Sequence, residues 1–280
     1  MDSKRAPDGY LLSRDHVDCD RFEDLGQYPC LWTQMFGYLL HPLIDTSNPH
    51  LKVADLGTGT ACWLTDLSAQ LPPTAQLDGF DLELTQAPPR AFLPSNVRLH
   101  KWDIFSEVPE HLVGQYDVVH VRLLVFVVRG EPTELLRRFL TLLKPGGWLQ
   151  WGEPDVPSMR LVKADPSLAE NGLRELFELT AAQDPRLIPQ WPDQLGAYFA
   201  REGLTAVETQ RVQAAATAPH LEFAMHQCNL LMYEMIAARA ADGSRAQQIR
   251  ALIPRAVGES KRGAMYAMHR VVVVGQKKHP

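Results

Sequence analysis

Between Lys52 and Leu64 the chain reads Lys-Val-Ala-Asp-Leu-Gly-Thr-Gly-Thr-Ala-Cys-Trp-Leu, an apolar strand that reaches Asp55, turns on two glycines and opens a helix. Glycine lets the backbone turn with no Cβ in the way, and the first N–H groups of the helix lack partners within it, so the segment has the build of a nucleotide-cofactor site. Such a turn follows the first strand of a parallel sheet, which commits the chain to an α/β fold.

The residues around the turn separate the cofactors. A dinucleotide fingerprint runs G-x-G-x-x-G, whereas Gly57-Thr58-Gly59-Thr60-Ala61-Cys62 lacks the third glycine. Asp55, two residues before the first glycine, would repel a pyrophosphate and suits the α-ammonium of a methionine moiety, whose carboxylate can take N–H donors from Gly57, Thr58 and Gly59. S-adenosylmethionine is therefore expected, not NAD.

The 280 residues are 45% hydrophobic and 22% charged, the balance of one globular α/β domain with some decoration. A net charge of −5 and the lack of a dense basic run apart from Lys277-Lys278 argue against nucleic acid as a partner. The polar start and short apolar runs predict neither a signal peptide nor a membrane span, hence a cytoplasmic protein. Cys19, Cys30, Cys62 and Cys228 are scattered with no C-x-x-C pair, so neither a disulfide framework nor a metal site is expected.

Strand and helix signals alternate from Lys52 to Asp155. Strands are expected at 52–55, 76–80, 97–100, 117–121 and 148–151, the last announced by the Lys144-Pro-Gly-Gly147 turn after a helix over 132–143. Two more are expected at 206–213 and 269–275, giving a seven-stranded Rossmann-like sheet. Helical patterns over 21–40, 166–195 and 221–253 are candidate cap elements. In the last, Leu221, Met225, Cys228, Met232 and Met235 form an apolar stripe, which reads as core packing, an adaptable pocket wall or a dimer interface.

Candidate site residues follow the strand ends. Asp81 ends the second strand 26 residues after Asp55, near the offset of about twenty typical of a ribose-binding carboxylate, with Leu82 beside it. Asp103 could accept from the adenine amine while Ile104 N–H donates to the ring, and Trp102 or Ile104 could cover its face. His120 and Arg122 end the fourth strand, where open α/β sheets bind ligands, and both are candidate cofactor contacts. Glu153 and Asp155 follow the fifth strand, where a methyl acceptor would sit, and with His120 they are the candidate catalytic residues.

Together, Gly37-Tyr-Leu-Leu-His-Pro42, Val53-Ala-Asp-Leu-Gly-Thr-Gly-Thr60, Gly79-Phe-Asp-Leu82, Tyr116-Asp-Val-Val-His-Val-Arg122 and Lys144-Pro-Gly-Gly-Trp-Leu-Gln-Trp151, with Glu153 and Asp155, resemble a class I S-adenosylmethionine-dependent methyltransferase. The narrower likeness is to small-molecule methyltransferases of fungal secondary-metabolite gene clusters. The resemblance implies a seven-stranded sheet with an antiparallel last strand, and N-terminal helices closing over the site. Relatives include amide N-methyltransferases acting on diketopiperazines and O-methyltransferases acting on polyketides. The expected division is an N-terminal helical lid over 1–46 and a Rossmann-like domain over 47–280, with helical cap insertions at about 158–195 and 220–255. The stretch Arg21-Phe-Glu-Asp-Leu-Gly-Gln-Tyr28 departs from the family pattern, which leaves Gln27, Tyr28 and Trp32 open as lid contacts. The reading is methylation of a nitrogen or oxygen of a small secondary metabolite. The alternatives are a non-methylating dehydration or pericyclic step on the same cofactor, or a methyltransferase-like regulator.

Overall fold

A computed structural model describes residues 27–128, 130–181, 188–239 and 243–279, so the expected helix start at Arg21 lies outside the described residues. Helix α1 (Gln27–Phe36) precedes β1 (Lys52–Leu56), α2 (Cys62–Ser68), β2 (Gln76–Asp81), β3 (Val97–Lys101) and β4 (Tyr116–Arg122). There follow α3 (Thr133–Leu142), β5 (Leu143–Lys163), α4 (Asn171–Ala181), α5 (Leu195–Arg201), β6 (Thr205–Val212), α6 (Ala214–Thr217), α7 (Pro219–Arg239), α8 (Gly243–Lys261) and β7 (Ala264–Gln276).

The seven strands form one sheet in the order β3-β2-β1-β4-β5-β7-β6, with β7 antiparallel to both neighbours. Strands β1 to β5 are parallel, so β1 and β4 meet at the topological switch point, where ligands lie beyond the carboxyl ends of open sheets. Strand β5 runs well past the expected end at Trp151, because β7 keeps pairing with it as far as Lys163↔Ala264, with a register shift between Asp155 and Arg160. The pattern expected as one helical stretch over 221–253 is two helices, α7 and α8.

Side chains alternate across a strand, and here they serve two different layers. Ala54, Leu56, Val119, Val121, Leu149, Trp151, Val271 and Val273 point to one face, where Leu135, Leu136 and Phe139 of α3 and Leu195 and Phe199 of α5 complete the core. The spacing of 135, 136, 139 and 142 gives α3 its apolar stripe, and each fully buried side chain contributes about 1.5–3 kcal/mol. On the other face Val53, Val118 and Val274 meet Trp63, Leu64 and Leu67 of α2. Further along, Val272 clusters with Leu31, Trp32 and Phe36 of α1 and with Met225 and Cys228 of α7. This second face is called the cap face below. The stripe on α7 is therefore packing material: Met225 and Cys228 hold α1, while Met232 joins the cluster between α4 and α8.

Candidate functional site

The turn after β1 is shaped by glycine. Gly57 and Gly59 adopt φ of +72° and +55°, and a Cβ on Gly57 would stand 3.1 Å from Leu124 Cδ2. Asp81, at the end of β2, accepts a hydrogen bond from Gly59 N at 2.9 Å, which fixes the turn beside an acidic strand end. Backbone donors, a carboxylate and a close-packed turn make a chemically apt cradle for a nucleoside carrying an amino-acid chain. Leu82, next to it, is half-buried.

Strand register then lines up a row across the cap face: Asp55 is opposite His120, His120 opposite Gln150, Gln150 opposite Val274 and Val274 opposite Glu208. Asp55 Oδ1 accepts from His120 Nδ1 at 2.7 Å, and Asp55 Oδ2 accepts from Thr58 Oγ1 at 2.7 Å. Each of its oxygens thus already has one protein donor, as do those of Asp81, and a carboxylate can accept more. Asp55 ties the turn to β4 and fixes the imidazole tautomer. Trp63, in the first turn of α2, stacks on His120 with ring centroids 3.6 Å apart and planes 5° apart. Burial lowers the His120 pKa below the usual imidazole value, Asp55 pulls it up and Arg122 pushes it down. The ring is therefore neutral at pH 7. Its Nε2 makes no hydrogen bond among the described residues, and it is not one of the sealed polar atoms that lack a partner.

Two residues on, Arg122 is half-buried and lies opposite Gly152 on β5. Its Cζ sits 5.9 Å from the centroid of the Trp32 ring, and Trp32 in turn covers Gly152, where a Cβ would stand 3.0 Å from Trp32 Cζ2. Gln150 holds the segment after α1 at both ends of its amide: Oε1 accepts from His41 N at 2.7 Å and Nε2 donates to Leu39 O at 2.8 Å. Tyr38 Oη donates to Gln210 Oε1 at 2.5 Å, carrying the same segment across to β6. Trp32, left open by the sequence, packs on the sheet at Gly152 and Arg122.

Glu153 does not sit where an acceptor base would. It shares strand parity with Leu149 and Trp151, so it points to the face opposite His120 and is 0% exposed. Its Oε1 accepts from Leu124 N at 2.8 Å and Trp151 Nε1 at 2.6 Å, and its Oε2 from Val125 N at 3.1 Å. Burial raises its pKa to about 8, against the pull of these donors and of Arg122. The carboxyl pins the turn after β4, where Leu123 adopts φ +62°, a conformation that costs a non-glycine residue and persists only when its surroundings impose it. Asp155 also departs from the expectation: it has the same parity, lies 3.8 Å from His269 Nδ1, and burial with nearby Asp193 raises its pKa.

At the end of β3, Trp102 belongs to the core, its ring plane at 84° to that of Phe80 and its Nε1 donating to Glu107 O at 3.2 Å. Ile104 is buried in the same cluster, and exposed Asp103 accepts from Phe105 N at 2.9 Å. The sequence reading did not single out Trp63, Gln150 or Gly152 as site residues. An aromatic at the first turn of α2 and the parity of β5 were the signals available.

A Gly-turn between β1 and α2, an acidic end to β2 and a seven-stranded sheet with its last strand reversed define a Rossmann-like domain of the methyltransferase type. Residues 31–209 match the methyltransferase-domain family, and the chain belongs to it. Methyltransferase grgD of a Penicillium species is 45% identical over 125 residues, covering 42% of this chain and 43% of that protein. N-methyltransferase gliN of Aspergillus fumigatus is 34% identical over 214 residues, covering 70% of this chain and 71% of that protein. Several curated relatives, grgD among them, are thus spanned over only about half their length. The structure of phosphoethanolamine N-methyltransferase 2 from Haemonchus contortus shares the fold, with a TM-score of 0.55 at 13% identity over 96% of this chain and 60% of that chain. Among the described residues no helix is long and apolar enough to cross a membrane.

Proposed function

We propose that this chain is an S-adenosylmethionine-dependent methyltransferase acting on a nitrogen or oxygen of a small secondary metabolite, with His120 as the general base. The observation that carries the reading is the Asp55–His120 pair at 2.7 Å beside the glycine turn. The names of grgD and gliN support the reaction class, as does the fit of Gly57, Gly59 and Asp81 to a ribose and methionine chain. S-adenosylmethionine, when bound, supplies an electrophilic methyl on a sulfonium whose sulfur takes the electron pair as the methyl leaves. The protein's part is to hold the acceptor on the line of attack, exclude water and receive one proton.

Those tasks divide among named residues. Asp81 and the Gly57–Gly59 backbone would bind the cofactor, and Asp55 orients His120 through its Nδ1–H. Neutral His120 then offers Nε2 to an acceptor X–H, the X–H proton passing to Nε2 as X forms its bond to carbon. The α1 segment, clasped by Gln150 and weighted by Trp32, closes the site on the cap side. The domain division would then fall as the sequence reading has it, a lid before residue 47 and the sheet with its cap helices after it.

The test is calorimetric titration with S-adenosylhomocysteine, followed by incubation with methyl-labelled S-adenosylmethionine and a panel of amides and phenols. Binding of S-adenosylhomocysteine at micromolar Kd and label in a product support the reading. Binding of NADH in its place would falsify it, and a rearranged product without label points instead to the non-methylating alternative.

A further inference from the structure

On the cap face, Arg122 is a charged group that neither the cofactor cradle nor the base accounts for. Arg122 is half-buried, yet among the described residues its contact is the Trp32 ring and no carboxylate lies within ion-pair distance. A guanidinium withdrawn from water normally has a hydrogen-bonding anion or carbonyl beside it, because desolvation is costly without one. Position decides which ligand that is. Arg122 follows Val121, the partner of Leu56, so it stands at the Gly57 end of a register row that continues through Gly152, Val272 and Gln210, away from Asp81, and runs under α1. It also shares a strand face with His120, about 6.6 Å along at ~3.3 Å per residue. A molecule between α1 and the sheet that presents X–H to His120 therefore has its neighbouring atoms within reach of the guanidinium.

We propose that Arg122 is an acceptor-binding residue that determines specificity: it takes an oxygen of the acceptor conjugated to X, the oxygen that gains negative charge as X–H is deprotonated. The inference rests on the methyl-transfer reading. The X–H proton goes to His120 Nε2, the pair left on X spreads onto the oxygen facing Arg122, and the same pair forms the new X–C bond while the C–S pair returns to sulfur. Donors fixed where charge develops lower the barrier. The same cation repels an ammonium, so acidic X–H groups beside a carbonyl or ionised oxygen are selected over protonated amines. The planar guanidinium also fits the Trp32 face while offering a two-pronged donor edge.

Benzoate and benzylamine, equal in ring and opposite in charge, are probes for the S-adenosylhomocysteine-loaded protein by saturation-transfer NMR. Wild type is expected to hold benzoate at least tenfold more tightly than benzylamine. Arg122→Gln is expected to weaken benzoate at least tenfold, to leave benzylamine no weaker and to keep the S-adenosylhomocysteine Kd within twofold, with partial rescue of benzoate by Arg122→Lys. Unchanged benzoate binding in Arg122→Gln overturns the proposal. So does parallel loss of S-adenosylhomocysteine, which would make Arg122 a cofactor ligand. If the Gln variant fails to fold, the wild-type benzoate-to-benzylamine ratio decides, and a ratio below two overturns the assignment. Failure of wild type to bind S-adenosylhomocysteine at all sinks the methyl-transfer reading itself, a result distinct from each of these.

Discussion

The two faces of the sheet use buried polar groups in opposite ways. On the α3 side, Glu153 is enclosed by three donors and holds the turn after β4 in place. On the cap side, Asp55 engages His120 and Thr58, while among the described residues Nε2 of the imidazole is unbonded and Arg122 has an aromatic ring in place of an anion. A polar group whose hydrogen bonds are all made stabilises a fold, whereas one with a bond in reserve can meet a ligand. Parity alone puts Gln150 and Glu153, three positions apart on β5, on opposite faces of the sheet.

The sharpest way to break the comparison is Glu153→Leu. It strands three buried donors at about 1–3 kcal/mol each, so a loss of ~3 kcal/mol or more and a Tm fall of about 10 °C are expected in a thermal melt. Next in size, His120→Asn is expected to lower kcat about 10²-fold, roughly 2.7 kcal/mol, in a labelled-methyl assay, with the S-adenosylhomocysteine Kd nearly unchanged. A wild-type rate in that variant removes the base assignment. Asp81→Ala is expected to weaken S-adenosylhomocysteine about tenfold, or 1.4 kcal/mol, by calorimetry.

Acid and alkali should separate the faces as well. Glu153 is raised to about 8 in the fold, so the folded state holds a proton that the unfolded chain has lost, and this contribution fades as pH rises from about 4.5 through 8. His226 on α7 accepts from Tyr266 N at Nδ1 and is lowered to about 4 by burial, so its contribution is complete above pH 6.5 and fades as pH falls toward 4. In melts across pH 4–9, Glu153→Gln is expected to flatten the alkaline limb and His226→Asn the acid limb; the reverse assignment would refute both. The smallest effect is expected from Asp155→Asn, with kcat within twofold of wild type, because its side chain shares the face of Glu153.

Much of the fold was legible because parallel strands buried on both faces read as apolar runs, and glycine and acidic residues punctuate their ends. The turn from Asp55 to Gly59 and the ending of β2 at Asp81 needed only local sequence. What misled was the end of β5. Glu153 and Asp155 lie at the right height for an acceptor, but which way a strand residue points depends on register with β4 and β7, set by residues distant in the chain. Trp63 escaped notice, and Trp32 stayed open, for a similar reason: their partners, His120 and Arg122, come from other elements.

Gly152 gives this a practical turn. With a methyl group there 3.0 Å from the indole, even alanine must push Trp32 outward by a few tenths of an ångström and tilt the platform on which Arg122 rests. The seat of α1 on the sheet is in this sense written by a missing side chain. Under the proposed reading, stepwise enlargement at position 152 is expected to retune substrate range and to spare Asp81 and His120.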